Sequence, residues 1–248
     1  MPLIAEQALA VMQDESPSPR FDAVIIDEGQ DFLPDWWGTI AGLTAGGHTG
    51  RLYAFLDLNQ SLRPEASLPP LSFSTRLPLF TNCRNTRALA RSAAALAQIE
   101  VQTLPGAPEG TPPEVVHQRR DPRRLDALVA QLRRLMAAGL RPHQIVLISA
   151  FSLSGGPLRD MNDLAGLDLT DDARRWRRGG GLLVTTARAF KGLEADVVII
   201  FGVVDFSPAF RAVDLYVAWT RARHRMILIV TDGEVQRTAL EALAEAQL

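Results

Sequence analysis

The stretch FDAVIIDEGQDF, residues 21–32, sets a continuous apolar run directly before two acids. Three of the four apolar residues in its AVII segment are β-branched. An unbroken run of this kind is typical of a strand buried on both faces of a parallel sheet. Asp27 and Glu28 follow at the point where such a strand leaves the core. The stretch therefore predicts a buried strand that carries two carboxylates to one edge of a sheet.

Similar apolar runs recur along the chain, and helix-like stretches separate several of them. The runs lie at residues 51–57, 76–81, 114–118, 144–150, 181–186, 196–202 and 225–231. The helix-like stretches lie at residues 86–100, 121–140, 212–225 and 232–247. Strands that alternate with helices predict an α/β fold with largely parallel sheets. The serine- and proline-rich segment 61–75 is the best candidate for a domain boundary, and segment 152–172 is interpreted as a surface excursion.

The composition excludes several classes of protein. Its apolar runs are far too short to span a bilayer, and the first ten residues, MPLIAEQALA, lack the basic flank of a signal peptide. The single cysteine, Cys83, rules out an intrachain disulfide. We therefore expect a cytoplasmic protein without a membrane partner.

Charge is unevenly distributed, although the net charge is only −2. Arginines cluster in the segments RRDPRR (119–124), RRL (133–135) and RRWRR (174–178), whereas Lys191 is the only lysine. Such arginine runs are either solvated faces or contacts for phosphate groups, and the sequence leaves both interpretations open.

The two acids after the first strand have two interpretations. In a nucleotide hydrolase, one carboxylate holds Mg²⁺ and the other orients or deprotonates the attacking water. In an ordinary strand, they are solvated polar ends. The four histidines show no ligand-like spacing, so no metal site is assigned to them.

Five motifs resemble superfamily 1 helicases of the UvrD/Rep type and occur in that family's order. They are DEGQDF (27–32), RLYAFLDLNQSL (51–62), LPLFTNCRNTRALA (77–90), VTTARAFKGLEADVVIIFGV (184–203) and LYVAWTRARHRMILIV (215–230). The first resembles the DExQ form of the Walker B motif. The last two are similar to the family's T-x-H-x-x-K-G-L-E-x-D-x-V and L-Y-V-A-x-T-R-A-R patterns. Cys83 stands where the family usually has an aromatic residue, and Arg188 where it usually has histidine.

The resemblance implies RecA-like parallel sheets flanked by helices, with one partial and one nearly complete domain. Residues 1–72 would be the C-terminal part of the first motor domain, and residues 73–248 the second. The implied function is an ATP-dependent DNA helicase or translocase. Its cofactors would be Mg²⁺ and ATP, and its partners single-stranded DNA or DNA junctions.

In the first domain, the resemblance implies four roles at the nucleotide. Asp27 would coordinate Mg²⁺, and Glu28 would activate the hydrolytic water. Gln30 and Gln60 would sense the γ-phosphate, because a neutral amide can donate to a phosphate oxygen or orient water.

In the second domain, Arg84 and Arg221 would be arginine fingers, whose planar donors suit the charge on a transferring phosphoryl group. Gly192 and Glu194 would meet the nucleotide, since glycine permits close backbone approach and a carboxylate can accept a ribose hydroxyl.

The resemblance implies that Thr185, Thr186 and Arg188 lie near the DNA. Trp36 and Trp37 could stack on single-stranded bases, but aromatic residues just after an acidic motif more often belong to a helix core, which is the interpretation we favour.

The chain contains no P-loop, because none of its glycine clusters continues into Lys-Ser or Lys-Thr and Lys191 belongs to the KGLE segment. We therefore expect the C-terminal portion of a longer protein whose N-terminal motor half supplies the P-loop, and an isolated chain that is at best a poor ATPase. A motor-dead relative that binds DNA or a partner protein, and part of a helicase–nuclease fusion, remain alternatives.

Overall fold

A computed structural model describes residues 20–61, 69–118 and 125–246. The chain divides into two compact units, Met1–Pro78 (unit 1) and Leu79–Leu248 (unit 2). The N-terminal decapeptide, the arginine cluster at residues 119–124 and part of the serine- and proline-rich segment lie outside the described residues. The identification of the two units with two motor domains stays a prediction.

Unit 1 contains two parallel strands, β1 (Ala23–Ile26) and β2 (Arg51–Ala54), and the helix α1 (Pro34–Ala41) between them in sequence. Trp37, in α1, is 0% exposed. Its ring packs against Phe32 and Phe73 at centroid distances of 5.6 and 6.3 Å. The interpretation of Trp37 as core is therefore confirmed.

The β1 strand is not buried on both faces, contrary to the prediction. Ile25 and its neighbour on β2, Tyr53, are 70% and 55% exposed, whereas Ile26 is 4% exposed. Successive side chains of a strand point to opposite faces. The described part of unit 1 therefore covers one face of this sheet and leaves the other open.

Unit 2 is built on a seven-stranded sheet, whose strand order is β5-β11-β10-β6-β9-β8-β7. Its strands are β5 (Glu114–His117), β6 (Ile145–Ser149), β7 (Asp163–Leu164), β8 (Leu167–Thr170), β9 (Leu182–Thr186), β10 (Ala195–Ile200) and β11 (Ala222–Val230). Neighbouring strands are parallel except for β7 and β8. The predicted α/β fold with a mostly parallel sheet is confirmed. A separate pair, β3 (Thr81–Asn82) and β4 (Gln102–Thr103), is also parallel.

Helices pack on both faces of the unit 2 sheet. On one face, α3 (Asp126–Ala137) contributes Leu128 and Leu132 to a core shared with Leu147 and Ile199. The other helices are α2 (Arg87–Ala97), α4 (Ala173–Arg177), α5 (Ala212–Thr220) and α6 (Glu234–Glu245). Of these, α2 packs against α5 and α6. Within the described ranges, no helix is both long and apolar enough to cross a membrane.

Three predicted elements differ in the structure. The apolar run at residues 76–81 forms a strand only from Thr81, and Leu77 and Leu79 are 82% and 84% exposed. The segment 152–172 contains the β7–β8 hairpin, which extends the sheet. The last helix-like stretch before β11 ends at Thr220 because the chain enters that strand at Ala222.

The hydrogen bond between Trp219 and Ser92 gives a test of how α5 packs on α2. The Trp219 indole N–H donates to Ser92 Oγ at 3.0 Å in the buried core. Ser92→Ala leaves this donor buried without an acceptor, so we expect the free energy of unfolding to fall by about 1–3 kcal/mol. Urea denaturation followed by tryptophan fluorescence measures the change.

The matched control is Ser152→Ala, which removes an exposed serine hydroxyl. It should change the free energy of unfolding by no more than about 0.5 kcal/mol. Equal losses in the two variants would contradict the packing described for α5.

Candidate functional site

Glu28 occupies a backbone conformation that is unfavourable for its side chain. It follows β1 by two residues and has φ 53° and ψ 37°, in the left-handed helical region. A residue with a Cβ atom pays roughly 1–2 kcal/mol for this conformation. Such strain is held only where surrounding contacts fix the backbone, and it is common at functional sites.

Gln30 supplies one of those contacts. Its side chain is 0% exposed. The Nε2 group donates to Glu28 Oε2 at 2.5 Å, and Oε1 accepts the Asp57 backbone N–H at 3.0 Å. Gln30 therefore ties the segment after β1 to the segment after β2.

Asp57 extends the same network to Gln60. The Gln60 side chain, which is 9% exposed, donates to Asp57 Oδ2 at 2.7 Å. Asp57 Oδ1 caps the short 3₁₀ turn Leu58–Gln60 by accepting the Asn59 N–H. The structure thus connects Glu28 and Gln30 to Gln60 through Asp57, whose backbone N–H bonds Gln30 and whose carboxylate bonds Gln60. The sequence assigned no role to Asp57. The Asp-x-x-Gln spacing of a side-chain cap was the available signal.

Asp27 is an exposed carboxylate at the carboxyl end of β1, and its Oδ1 accepts the Glu28 N–H at 2.9 Å. Magnesium commonly takes one or two carboxylates from a protein and completes its shell with water and phosphate oxygens. The described residues contain no cluster of three acidic, histidine or cysteine side chains that could hold a metal. Asp27 is thus one accessible carboxylate of the kind that magnesium takes from a protein, and its role as a magnesium ligand stays a prediction.

In unit 2, one group of predicted residues lies at the amino ends of β10 and β11. Arg84 Nε and Glu194 Oε2 form an ion pair at 3.0 Å, with 42% and 45% of their side chains exposed. Arg223 lies 3.6 Å from Glu194 and 3.4 Å from Asp196. Such exposed pairs contribute at most about 1 kcal/mol each. They nevertheless bring charged groups from distant parts of the chain together at the amino-end edge of the sheet.

Arg221 lies at this same edge but is 2% exposed. It directly follows α5, and its Nη2 donates to Thr220 Oγ1 at 3.2 Å. Asn85 clamps the backbone on both sides of Arg221, because its Nδ2 donates to the carbonyls of Thr220 at 3.2 Å and Ala222 at 2.5 Å. In this structure, therefore, Arg84 is accessible and Arg221 is held inside.

Asn85 was not among the predicted site residues. It lies in the TNCRNT segment, where the Asn82 side-chain oxygen accepts the N–H groups of both Arg84 and Asn85 at 3.0 Å. An asparagine that turns the backbone in this way is a recognisable local signal. Its contacts with Thr220 and Ala222 are long-range, and no local pattern indicates them.

Gly192 adopts φ +79°, a conformation that favours glycine, and a Cβ placed there would meet no atom within 4 Å. The turn that leads to Glu194 therefore favours glycine at this position, and the space that a side chain would occupy there is open.

A second group lies at the opposite end of the strands. Thr186 is the last residue of β9 and is paired with Ser149, the last residue of β6. Thr185 precedes it and is 8% exposed. Arg188 follows, and its side chain is 46% exposed. The predicted DNA contacts therefore share one edge of the sheet.

Asp214 holds the Arg188 side chain in place. It is 1% exposed and accepts from Arg188 Nε at 3.2 Å. It also accepts the Arg211 N–H at 2.8 Å, and the Pro208 carbonyl accepts from Arg188 Nη2 at 3.1 Å. Where the helicase family usually has histidine, this chain has an arginine anchored on a buried carboxylate. Asp214 was not among the predicted site residues, and its only local signal is an acid in the first turn of a helix.

The predicted site residues thus fall into three sets, one in unit 1 and two in unit 2. The unit 1 set is Asp27, Glu28, Gln30 and Gln60. The two sets in unit 2 lie at opposite ends of its parallel strands, with Arg84, Glu194 and Arg221 at the amino ends and Thr185, Thr186 and Arg188 at or beside the carboxyl ends. The roles of all these residues stay predictions.

Residues 181–229 match the family model of the UvrD-like helicase C-terminal domain. The resemblance to the C-terminal portion of a UvrD-type helicase is confirmed over this segment, which runs from β9 into β11. No curated protein matches the sequence. One solved structure with a similar chain is the C-terminal domain of a possible DNA helicase from Lactobacillus plantarum WCFS1. It has a TM-score of 0.43 and 19% identity, over 61% of this chain and 89% of that one.

The left-handed backbone at Glu28 predicts that glycine at this position stabilises the fold more than alanine does. Glu28→Gly and Glu28→Ala both remove the carboxylate, but only alanine retains a Cβ at φ 53°. We expect the glycine variant to have the higher free energy of unfolding, by about 1 kcal/mol, in urea denaturation.

The same pair of substitutions at Glu100 is the matched control, because Glu100 is exposed and does not have a positive φ. There, glycine should give no advantage over alanine. An alanine variant at position 28 as stable as the glycine variant would contradict the strained conformation.

The Asn85 clamp predicts a large effect of an isosteric change. Asn85→Asp replaces a buried amide donor with a carboxylate that faces two carbonyl oxygens. We expect the free energy of unfolding to fall by about 2–3 kcal/mol, since buried unsatisfied and charged groups are costly. Thermal and urea unfolding measure the loss.

Asn59→Asp, at an exposed position, makes the same chemical change and should cost about 0.5 kcal/mol or less. If both variants unfold alike, Asn85 does not clamp the backbone around Arg221.

Proposed function

We propose that the chain is part of a DNA-dependent ATPase of the UvrD/Rep type, in which ATP hydrolysis drives movement along single-stranded DNA. The observation that carries this proposal is that two sets of predicted site residues lie at opposite ends of the parallel strands of unit 2. Residues expected to act on the nucleotide lie at the amino ends of the strands, and those expected to contact DNA lie at the carboxyl ends. The segment that supplies most of both sets is the one that matches the helicase C-terminal domain.

In unit 1, Asp27 would hold Mg²⁺, which when bound neutralises charge on the phosphates. Glu28 would orient and deprotonate the attacking water. The hydrogen bond from Gln30 supports this role, since it fixes the carboxylate in one position. The strained backbone at Glu28 further supports a functional placement.

In unit 2, Arg84 would donate to the phosphoryl oxygens, and Glu194 would accept from the ribose. The Arg84–Glu194 ion pair means that each group neutralises the other until a nucleotide competes for them. Arg221 would act as the second finger, and this role requires its buried side chain to turn outward.

At the carboxyl ends, Thr185, Thr186 and Arg188 would contact the DNA backbone. A guanidinium suits a phosphate because it donates two parallel hydrogen bonds. Asp214 would fix the direction of the Arg188 side chain while leaving it partly exposed.

The 248 residues contain no P-loop lysine, since Lys191 is the only lysine and lies in the KGLE segment. We therefore propose that these residues bind DNA but hydrolyse ATP poorly when they are present alone.

The test measures the binding of fluorescein-labelled oligo(dT) to the full chain by fluorescence anisotropy. We expect binding at low salt, and a loss of about tenfold in affinity in Arg188→Ala, because one charged phosphate contact is removed. Adding Mg²⁺ and ATP should shift the affinity of the wild-type chain, since nucleotide and DNA binding are linked. Glu194→Ala should abolish that shift.

Arg237→Ala is the control, because Arg237 is an exposed arginine on α6 and has no ion pair among the described residues. It should bind oligo(dT) like the wild type. A chain that does not bind oligo(dT), or an Arg188→Ala variant that binds equally well, would refute the DNA role.

A motor-dead module that binds DNA or a protein is the second candidate. It is favoured by the burial of Arg221 and by the pairing of Arg84 with Glu194. Oligo(dT) binding that does not respond to saturating Mg²⁺ and ATP supports this module over the ATPase.

A further inference from the structure

The arginine run at residues 174–178 has no place in the proposed ATP and DNA sites. Its first four residues lie in the short helix α4, Arg178 caps that helix, and β9 begins four residues later at Leu182. Arg174, Arg177 and Arg178 are exposed. They are spaced at i, i+3 and i+4, which places them on one face of a helix. We call these three residues the α4 arginine face.

The α4 arginine face has no neutralising partner in the part of the chain that the structure describes. The guanidinium groups of its three members make no ion pair or hydrogen bond to a described residue. Of the nearby acids, Asp172 caps the helix through the N–H groups of Arg174 and Arg175, and Asp168 lies 3.6 Å from Arg175. Like charges at this spacing repel one another. An external anion would remove that repulsion.

Trp176 fixes the direction of this face. It lies on the inner side of α4, is 2% exposed and packs against Phe190. Its indole N–H is shared between the carbonyls of Pro142 at 3.0 Å and Ile145 at 2.9 Å. These contacts hold α4 against the turn before β6, to which Arg141 adds another exposed arginine.

The chemistry of the α4 arginine face fits phosphates and not bases. Single-stranded nucleic acid is usually gripped by exposed aromatic rings on which the bases stack. Here the aromatic ring of α4 is turned inward and only charges face outward. A duplex hides its bases and presents a row of phosphates, which guanidinium groups bind well.

The α4 arginine face is separate from the predicted contacts with single-stranded DNA. It precedes the amino end of β9, whereas Thr186 ends that strand. At about 3.3 Å per residue, the first and last residues of this five-residue strand are about 13 Å apart, so the two surfaces lie toward opposite ends of β9. We propose that the α4 arginine face is a second nucleic-acid site, which binds the phosphate backbone of a duplex.

The test measures how the binding of a short fluorescein-labelled DNA duplex to the full chain depends on salt. Each phosphate contact contributes about 0.9 to the slope of log affinity against log salt for duplex DNA. The triple variant Arg174→Gln, Arg177→Gln, Arg178→Gln should therefore lower the magnitude of the slope by about 2.7. Binding of oligo(dT) should change little.

Two further variants test whether a change in slope comes from a specific site on α4, from the loss of net charge or from a damaged fold. The triple Arg51→Gln, Arg133→Gln, Arg237→Gln removes three other exposed arginines without ion pairs to described residues, and should leave the slope unchanged. The triple Arg174→Lys, Arg177→Lys, Arg178→Lys keeps the three charges and should retain most of the slope.

An unchanged slope in the glutamine triple on α4 overturns the proposal, and this is the result expected if the face binds an acidic protein. Equal losses in both glutamine triples overturn it as well, because they would reflect charge alone. The proposal rests on the proposed function only in its choice of DNA, and the two fail separately. If Arg188→Ala leaves oligo(dT) binding intact while the α4 triple loses slope on the duplex, the proposed function fails and the second site stands.

Discussion

The burial of the central strands on both faces is the constraint on which unit 2 depends. All five residues of β6 are buried, β10 places a long apolar run directly beside it, and β11 places another on the far side of β10. Strands of this kind leave no room for charged groups along their length. Polar chemistry is therefore confined to the two ends of the sheet, and the charged residues of unit 2 that matter here lie at those ends.

The amino edge is held together by backbone contacts as well as by ion pairs. The exposed pair between Arg84 and Glu194 adds little stability by itself. The buried amide of Asn85 binds two carbonyl groups that lie more than 130 residues away in sequence. A buried polar group that loses its hydrogen-bond partner costs more free energy than an exposed ion pair contributes. The hydrogen bonds of Asn85 therefore do more to hold this edge together than the ion pair does.

Much of the fold follows from periodicity, but the contacts within the site do not. The continuous apolar run of β6 and the helical spacing in α3 predicted both elements correctly. The run at residues 76–81 misled because, among the described residues, strand pairing begins only at Thr81, and Leu79 and Phe80 remain exposed. The positions of Glu28 and Gln30 could be predicted from the acidic motif, whereas their link through Asp57 depends on the pairing of β1 with β2. The anchoring of Arg188 on Asp214 depends likewise on a tertiary contact that no local pattern encodes.

Helix α5 connects the two edges of unit 2. Asp214, in its first turn, holds Arg188 at one edge, and Arg221 directly follows its last residue at the other. Its nine residues rise by about 1.5 Å each, so the helix spans about 13 Å. Every residue from Asp214 to Thr220 is buried, which leaves the helix free to move only together with its neighbours. A packed element held at both ends meets the structural requirement for coupling two sites, and energetic coupling follows only where that element has two discrete positions. In the proposed motor, the outward turn of Arg221 is the change that would distinguish those positions, because in the present one its side chain is buried and Asn85 holds the backbone on both sides of it.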